Sequence, residues 1–350
     1  MGKHFLPFLI SVFGQFVSNA QPGILIRQQS CANGIDDAFF AYYDDFGESV
    51  TLFDFVKNGT ITPHSKSVFV NIASQTFFHF SRDFDIYPMY LLPGDTIDVE
   101  CASSGEYKYK FGGSRSHAEL ILLALVNKKF GYVFPNNSNL EISEKLDYDY
   151  IYQRSKENYV KSIEFVTEYS EQNTITKSYY DIVTNDLRFN FYFALLFPYL
   201  STKVKDETPR LVPESYKTIL RKLIDEVDDQ YIHLRGYKQF VRALNRFLTV
   251  ERYGHVDFLK EIETAKSKFD GETKDYIIFR NLLLDSKKQV TDYTSILLNA
   301  KLEIKSPKYL GWIESQLSNS RHAFSKEELS TQLADITQGI TNPTLSSYRF

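Results

Sequence analysis

Tyr107-Lys108-Tyr109-Lys110-Phe111-Gly112-Gly113-Ser114, followed by His117-Ala118-Glu119-Leu120-Ile121-Leu122-Leu123-Ala124, is where the chain changes its hydrophobic period. Upstream the pattern is that of strands. In Thr96-Ile97-Asp98-Val99-Glu100-Cys101 the alternation sends Ile97, Val99 and Cys101 to one face and Thr96, Asp98 and Glu100 to the other. That is the signature of a sheet with one wet face. Similar short runs, rich in β-branched and aromatic residues, predict strands over 24–29, 38–43, 50–56, 68–72, 76–80, 89–92, 96–101 and 107–111. Leu92-Pro93-Gly94-Asp95 suits a type II turn, because Pro93 presets φ and Gly94 tolerates a positive one. Lys57-Asn58-Gly59-Thr60 carries an Asn-Gly pair of the kind that closes hairpins.

Downstream of Gly113 the period becomes helical. Tyr216, Ile219, Leu220, Leu223, Ile224 and Val227 share one helical face, and Phe240, Val241, Leu244, Phe247 and Leu248 mark another. Further helices are expected over 117–128, 141–172, 177–199, 256–269, 274–285 and 291–302. Later starts are signalled by Ser306-Pro307 and by Ser325-Lys326-Glu327-Glu328, a capping box leading into Leu329, Leu333 and Ile336. Ser114 and Ser116 are both candidate N-caps for the first helix. No repeat period emerges, so an irregular bundle is expected rather than a solenoid. The expected fold class is α+β: an antiparallel β-sandwich or barrel-like domain over 21–113, then an irregular α-helical bundle over 114–338, with a tail at 339–350.

The 350 residues are 43% hydrophobic and 24% charged, which excludes a disordered chain and a disulfide-dense miniprotein. Forty Lys+Arg against 44 Asp+Glu leave a net charge of −4, with no general attraction for nucleic acid. Residues 1–20 read as a secretory signal: Lys3 and His4, an apolar core from Phe5 to Val17, then Ser18-Asn19-Ala20 before Gln21. That core is too short for a transmembrane helix, and no later run approaches one. A periplasmic or secreted protein is therefore expected. In such a compartment Cys31 and Cys101 are a candidate disulfide, worth about 4 kcal/mol in the chain-entropy model; two buried thiols are the open alternative. The aromatic surplus, 29 Phe and 24 Tyr, is expected mainly in the core. Tyr148, Tyr150 and Tyr152, or Tyr179 and Tyr180, are the candidate surface platform that a glycan-binding module would need.

Local catalytic motifs are sparse. No His-Glu-x-x-His and no Cys-x-x-Cys occurs, so no catalytic, metal or cofactor-binding residue is assigned and no cofactor is expected. Gly112-Gly113-Ser114-Arg115-Ser116 lacks the closing glycine of a nucleophile elbow and reads as a capping turn. Asp36-Asp37 and Asp44-Asp45 lack calcium-loop spacing, and the acid pairs Glu141/Glu144 and Asp225/Asp228 read as helix-surface charges.

The order of features carries more. A leader precedes Tyr90-Leu91-Leu92-Pro93-Gly94-Asp95-Thr96-Ile97-Asp98-Val99, then the Tyr107–Ser114 segment and a long helical stretch. This resembles the N-terminal region of Bacteroidota TlpA-like periplasmic thiol–disulfide oxidoreductases, over about residues 23 to 336. The resemblance implies a β domain plus helices that position partners of a redox domain. Family members continue into a thioredoxin fold carrying Trp-Cys-x-x-Cys; residues 339–350 resemble the start of the linker leading there, and no position here matches that motif. The expectation is a non-enzymatic binding or scaffold protein. The alternatives are a partner subunit of a separately encoded thioredoxin-fold protein, a glycan-binding module, and, more distantly, a hydrolase with a discontinuous site.

Overall fold

A computed structural model of the chain describes residues 23–28, 38–44, 49–54, 66–82, 85–101, 109–131, 148–196, 212–286 and 293–320. Among these residues eight strands come first: β1 (Gly23–Gln28), β2 (Ala38–Tyr43), β3 (Ser49–Asp54), β4 (Lys66–Asn71), β5 (Thr76–Arg82), β6 (Asp85–Leu91), β7 (Thr96–Cys101) and β8 (Tyr109–Gly113). Among the described residues nine helices follow: α1 (His117–Phe130), α2 (Tyr148–Gln172), α3 (Lys177–Leu196), α4 (Glu214–Lys222), α5 (Arg235–Tyr253), α6 (Phe258–Lys268), α7 (Gly271–Ser286), α8 (Tyr293–Glu303) and α9 (Pro307–Ser320). The fold is α+β. Helix α4 is shorter than its apolar stripe suggests: residues 223–226 tighten into a 3₁₀ turn. The helix expected after Ser325 lies outside the described residues.

The strands form two four-stranded sheets, in the orders β4-β1-β7-β8 and β3-β2-β5-β6. All pairings in the second sheet are antiparallel, whereas β1 and β7 run parallel in the first. The expected antiparallel sandwich thus contains one parallel pair. Strands β3 and β4 belong to different sheets, and the Asn58-Gly59 pair lies outside the described residues. Pro88 is accommodated because β6 is an edge strand.

Three layers result. The inner faces of the two sheets meet through Ile24, Ile26, Ile97 and Val99 on one side and Phe40, Phe78, Phe80 and Met89 on the other, all buried. The opposite face of the second sheet is also covered: Phe77 and Tyr90 belong to the core of the helical layer, with Leu122, Leu187, Tyr237 and Phe240. Among the described residues, the outer face of the first sheet carries paired surface charges. There Arg27 Nε and Nη2 donate to Asp98 Oδ1 and Oδ2 at 2.6 and 2.8 Å, across the parallel β1–β7 pair.

The junction between strands and helices is built from committed polar groups. Asp95 N donates to Leu92 O at 3.0 Å and Gly94 has φ of 94°, which makes Leu92–Asp95 a type II turn. Asp95 then accepts from Arg115 Nε at 2.6 Å and from Ser114 Oγ at 3.1 Å. Ser116 caps α1 by accepting from Glu119 N at 3.1 Å. Glu119, itself buried, accepts from Thr176 N and Thr176 Oγ1 at 2.7 and 2.6 Å, which fixes the start of α3 against α1. Gly113 is required by close approach: a Cβ there would lie 2.0 Å from Thr96 O. Every polar group of the Gly112–Ser116 turn that is engaged this way serves to hold the chain.

Candidate functional site

Between the second sheet and the helices lies a cleft of about 390 Å³. The end of β2 contributes Tyr43, the turn before β5 contributes Gln75, and Phe77 follows on β5. The helical wall carries Arg235, Lys238, Gln239 and Arg242 from α5, Glu272 and Tyr276 from α7, and Lys308 from α9. Positions 235, 238 and 242 fall on one helical stripe, and Arg246 continues it.

The placement of α5 is set by a buried carboxylate. Asp186 on α3 is fully buried, and its Oδ1 accepts from Tyr90 Oη and from Gly236 N, both at 2.7 Å. Its Oδ2 accepts from Asn190 Nδ2 at 3.1 Å, and Tyr90 Oη in turn accepts from Arg235 N at 2.9 Å. Burial drives the Asp186 pKa up, against the lowering effect of those donors. Burial likewise raises the Tyr90 phenol, helped by the neighbouring Asp186 charge. Gly236 has to be glycine because a Cβ would stand 2.7 Å from both Asp186 O and Oδ1. One network therefore ties β6, α3 and the first turn of α5, and so fixes the cleft wall.

The other end is anchored by Asp229, whose carboxylate accepts from Glu272 N at 2.7 Å and Thr273 N at 2.8 Å at the start of α7. Asp229 thereby satisfies first-turn amides of α7. Asp275 holds the link between α8 and α9, accepting from Lys305 N and Ser306 N at 2.8 Å each.

Within the cleft, the rings carry cations. The Arg235 guanidinium lies 5.4 Å from the Tyr43 ring centre and 5.2 Å from that of Phe77. The Lys238 ammonium lies 5.7 Å from the Tyr276 ring centre. Lys308 Nζ pairs with Glu272 Oε1 at 2.5 Å. His233 has its pKa lowered, chiefly by burial and then by Lys238, so it is neutral near pH 7. A second cavity of about 260 Å³ adjoins the first, with Gln239 and Arg242 in both walls.

No family model, no curated protein and no solved structure matches the chain. The cleft has to be read from its own chemistry.

The residues singled out in the sequence fall elsewhere. Tyr148, Tyr150 and Tyr152 do not make one exposed platform: Tyr148 is buried against Tyr216, Tyr152 packs on the core, and Tyr150 alone is well exposed, at 63%. Tyr179 is fully buried, with the Arg115 guanidinium 5.3 Å from its ring centre. Asp228 caps a 3₁₀ turn by accepting from Gln230 N. Cys101 ends β7, while Cys31 and residues 1–20 lie outside the described residues, as do Asp36, Asp37, Asp45, Glu141 and Glu144. Among the described residues no group of three or more His, Cys, Asp or Glu side chains could hold a metal, and no helix is long and apolar enough to cross a membrane. Composition and motif reading passed over the cleft residues; the basic stripe on α5 was the available signal.

Proposed function

We propose that the chain is an exported, non-enzymatic binding protein, similar in role to the accessory N-terminal region of TlpA-like oxidoreductases, and that it holds its ligand in the cleft between the second sheet and the helices. The observation that carries this reading is the cleft itself. Its size falls in the range of about 300–1,000 Å³ typical of small-molecule sites. Both its walls are positioned by buried hydrogen bonds, and it combines aromatic surface with convergent donors. Export rests on the leader-like Lys3–Ala20 segment.

The test is to express the full chain with its leader, sequence the N-terminus of the exported form, and examine it by native mass spectrometry. The expected result is a mature start at Gln21 and a bound species that is lost when the cleft is filled by Gln75→Trp. Retention inside the cell, or insulin reduction that disappears with Cys31→Ser, would contradict the reading.

A further inference from the structure

We infer that the cleft takes an anionic small molecule, one presenting a phosphate or carboxylate group to Arg242, Lys238 and Gln75. This rests on the cleft being the binding site and adds the chemical class of what it binds.

Charge is the first reason. Among the described residues the cleft is lined by Arg235, Lys238, Arg242 and Lys308, and the one lining carboxylate, Glu272, pairs with Lys308. Asp44 also lies near enough to act on the Tyr276 phenol. Low-dielectric walls around one sign of charge concentrate the opposite one.

The second reason is Arg242 itself. Among the described residues no carboxylate comes within ion-pair distance of its guanidinium; Glu261 acts on it only as a more distant charge, and its hydrogen-bonding partner is the neutral Tyr276 side chain. Burial, ahead of repulsion from Arg280, lowers its pKa from the usual guanidinium value. A half-buried cation with no carboxylate at ion-pair distance among the described residues carries a desolvation cost that an incoming anion offsets.

Third, Gln75 Nε2 is a buried donor with no acceptor among the described residues, on the sheet side of the cleft. Gln239 Oε1 is also unpartnered, and its amide can turn end for end to present NH₂ to the same space. A ligand rich in acceptor oxygens satisfies these groups. A neutral sugar does not fit as well, because stacking needs free ring faces, and here Tyr43, Phe77 and Tyr276 already have cations over them.

Isothermal titration calorimetry on the mature chain, with citrate, inorganic phosphate and the neutral sugar maltose as probes, decides the matter. Citrate or phosphate is expected to bind, more weakly as salt rises. Arg242→Gln is expected to weaken that binding by at least about thirtyfold, as when one partner of a buried charge pair is removed. Lys238→Gln is expected to weaken it several-fold, and serves if the first variant folds poorly. Equal binding by wild type and both variants would overturn the inference. Binding of maltose alone would overturn the anionic class but leave the cleft as a binding site. No binding by any probe, together with no ligand carried from the cell, would overturn both.

Discussion

Strands β5 and β7 lie in facing sheets of one sandwich, yet only β7 has a wet face. In β7, Ile97 and Val99 are buried while Asp98 between them pairs with Arg27 at the surface. In β5, Phe77, Phe78 and Phe80 are all buried, Phe77 toward the helices and the other two toward the first sheet. A clean alternation therefore marks a sheet with one neighbour layer, and a near-continuous apolar run marks a sheet with two. The cleft exists because the second sheet is the middle layer: one of its walls is sheet and the other is helix.

This contrast can be broken by substitution. Phe77→Ala and Phe78→Ala should each cost about 3–5 kcal/mol in urea unfolding, although they are sequence neighbours pointing to opposite faces. If one of them were nearly neutral, the middle layer would have only one buried face. Asp186→Ala should follow, at about 1–3 kcal/mol for each buried donor left without its acceptor, among them Tyr90 Oη and Gly236 N. It should also weaken ligand retention in the cleft, since α5 would lose its anchor; unchanged retention would show that the network does not position the wall.

A smaller effect comes from pH. Burial, first, and the charge of Arg235 lower the pKa of His79; burial and Lys238 do the same for His233. The unfolded chain then binds more protons than the folded one below the ordinary histidine value of about 6.5, so stability should fall as pH drops through that value and level off below the folded pKa values. His79→Gln should flatten part of that slope in a melting series, whereas a slope unchanged in the variant would show that His79 does not contribute to it. The smallest effect belongs to the wet face: Asp98→Ala should cost less than about 1 kcal/mol and less again in high salt, while Ile97→Ala beside it should cost about 2–5 kcal/mol. Comparable costs at these neighbours would mean that the outer face of β7 is covered.

Most of the strand and helix pattern was legible because it depends on local periodicity. The change of period between Gly113 and His117 sits where the last strand gives way to α1. The parallel β1–β7 pair was not legible, since pairing between distant strands leaves no local mark. Asp186 reads in the sequence as an ordinary helix acid, and only the approach of Tyr90 and Gly236 makes it a buried anchor. The cleft was hidden for a related reason: its walls come from β2, the turn before β5, α5, α7 and α9, and no single segment shows more than one part of it.

Differential scanning calorimetry of the mature chain tests most directly whether strands and helices form one unit around the cleft. A single unfolding transition, moved to lower temperature by both Phe77→Ala and Phe78→Ala, is predicted. Two separate transitions, with Phe78→Ala shifting one and leaving the other in place, would contradict it.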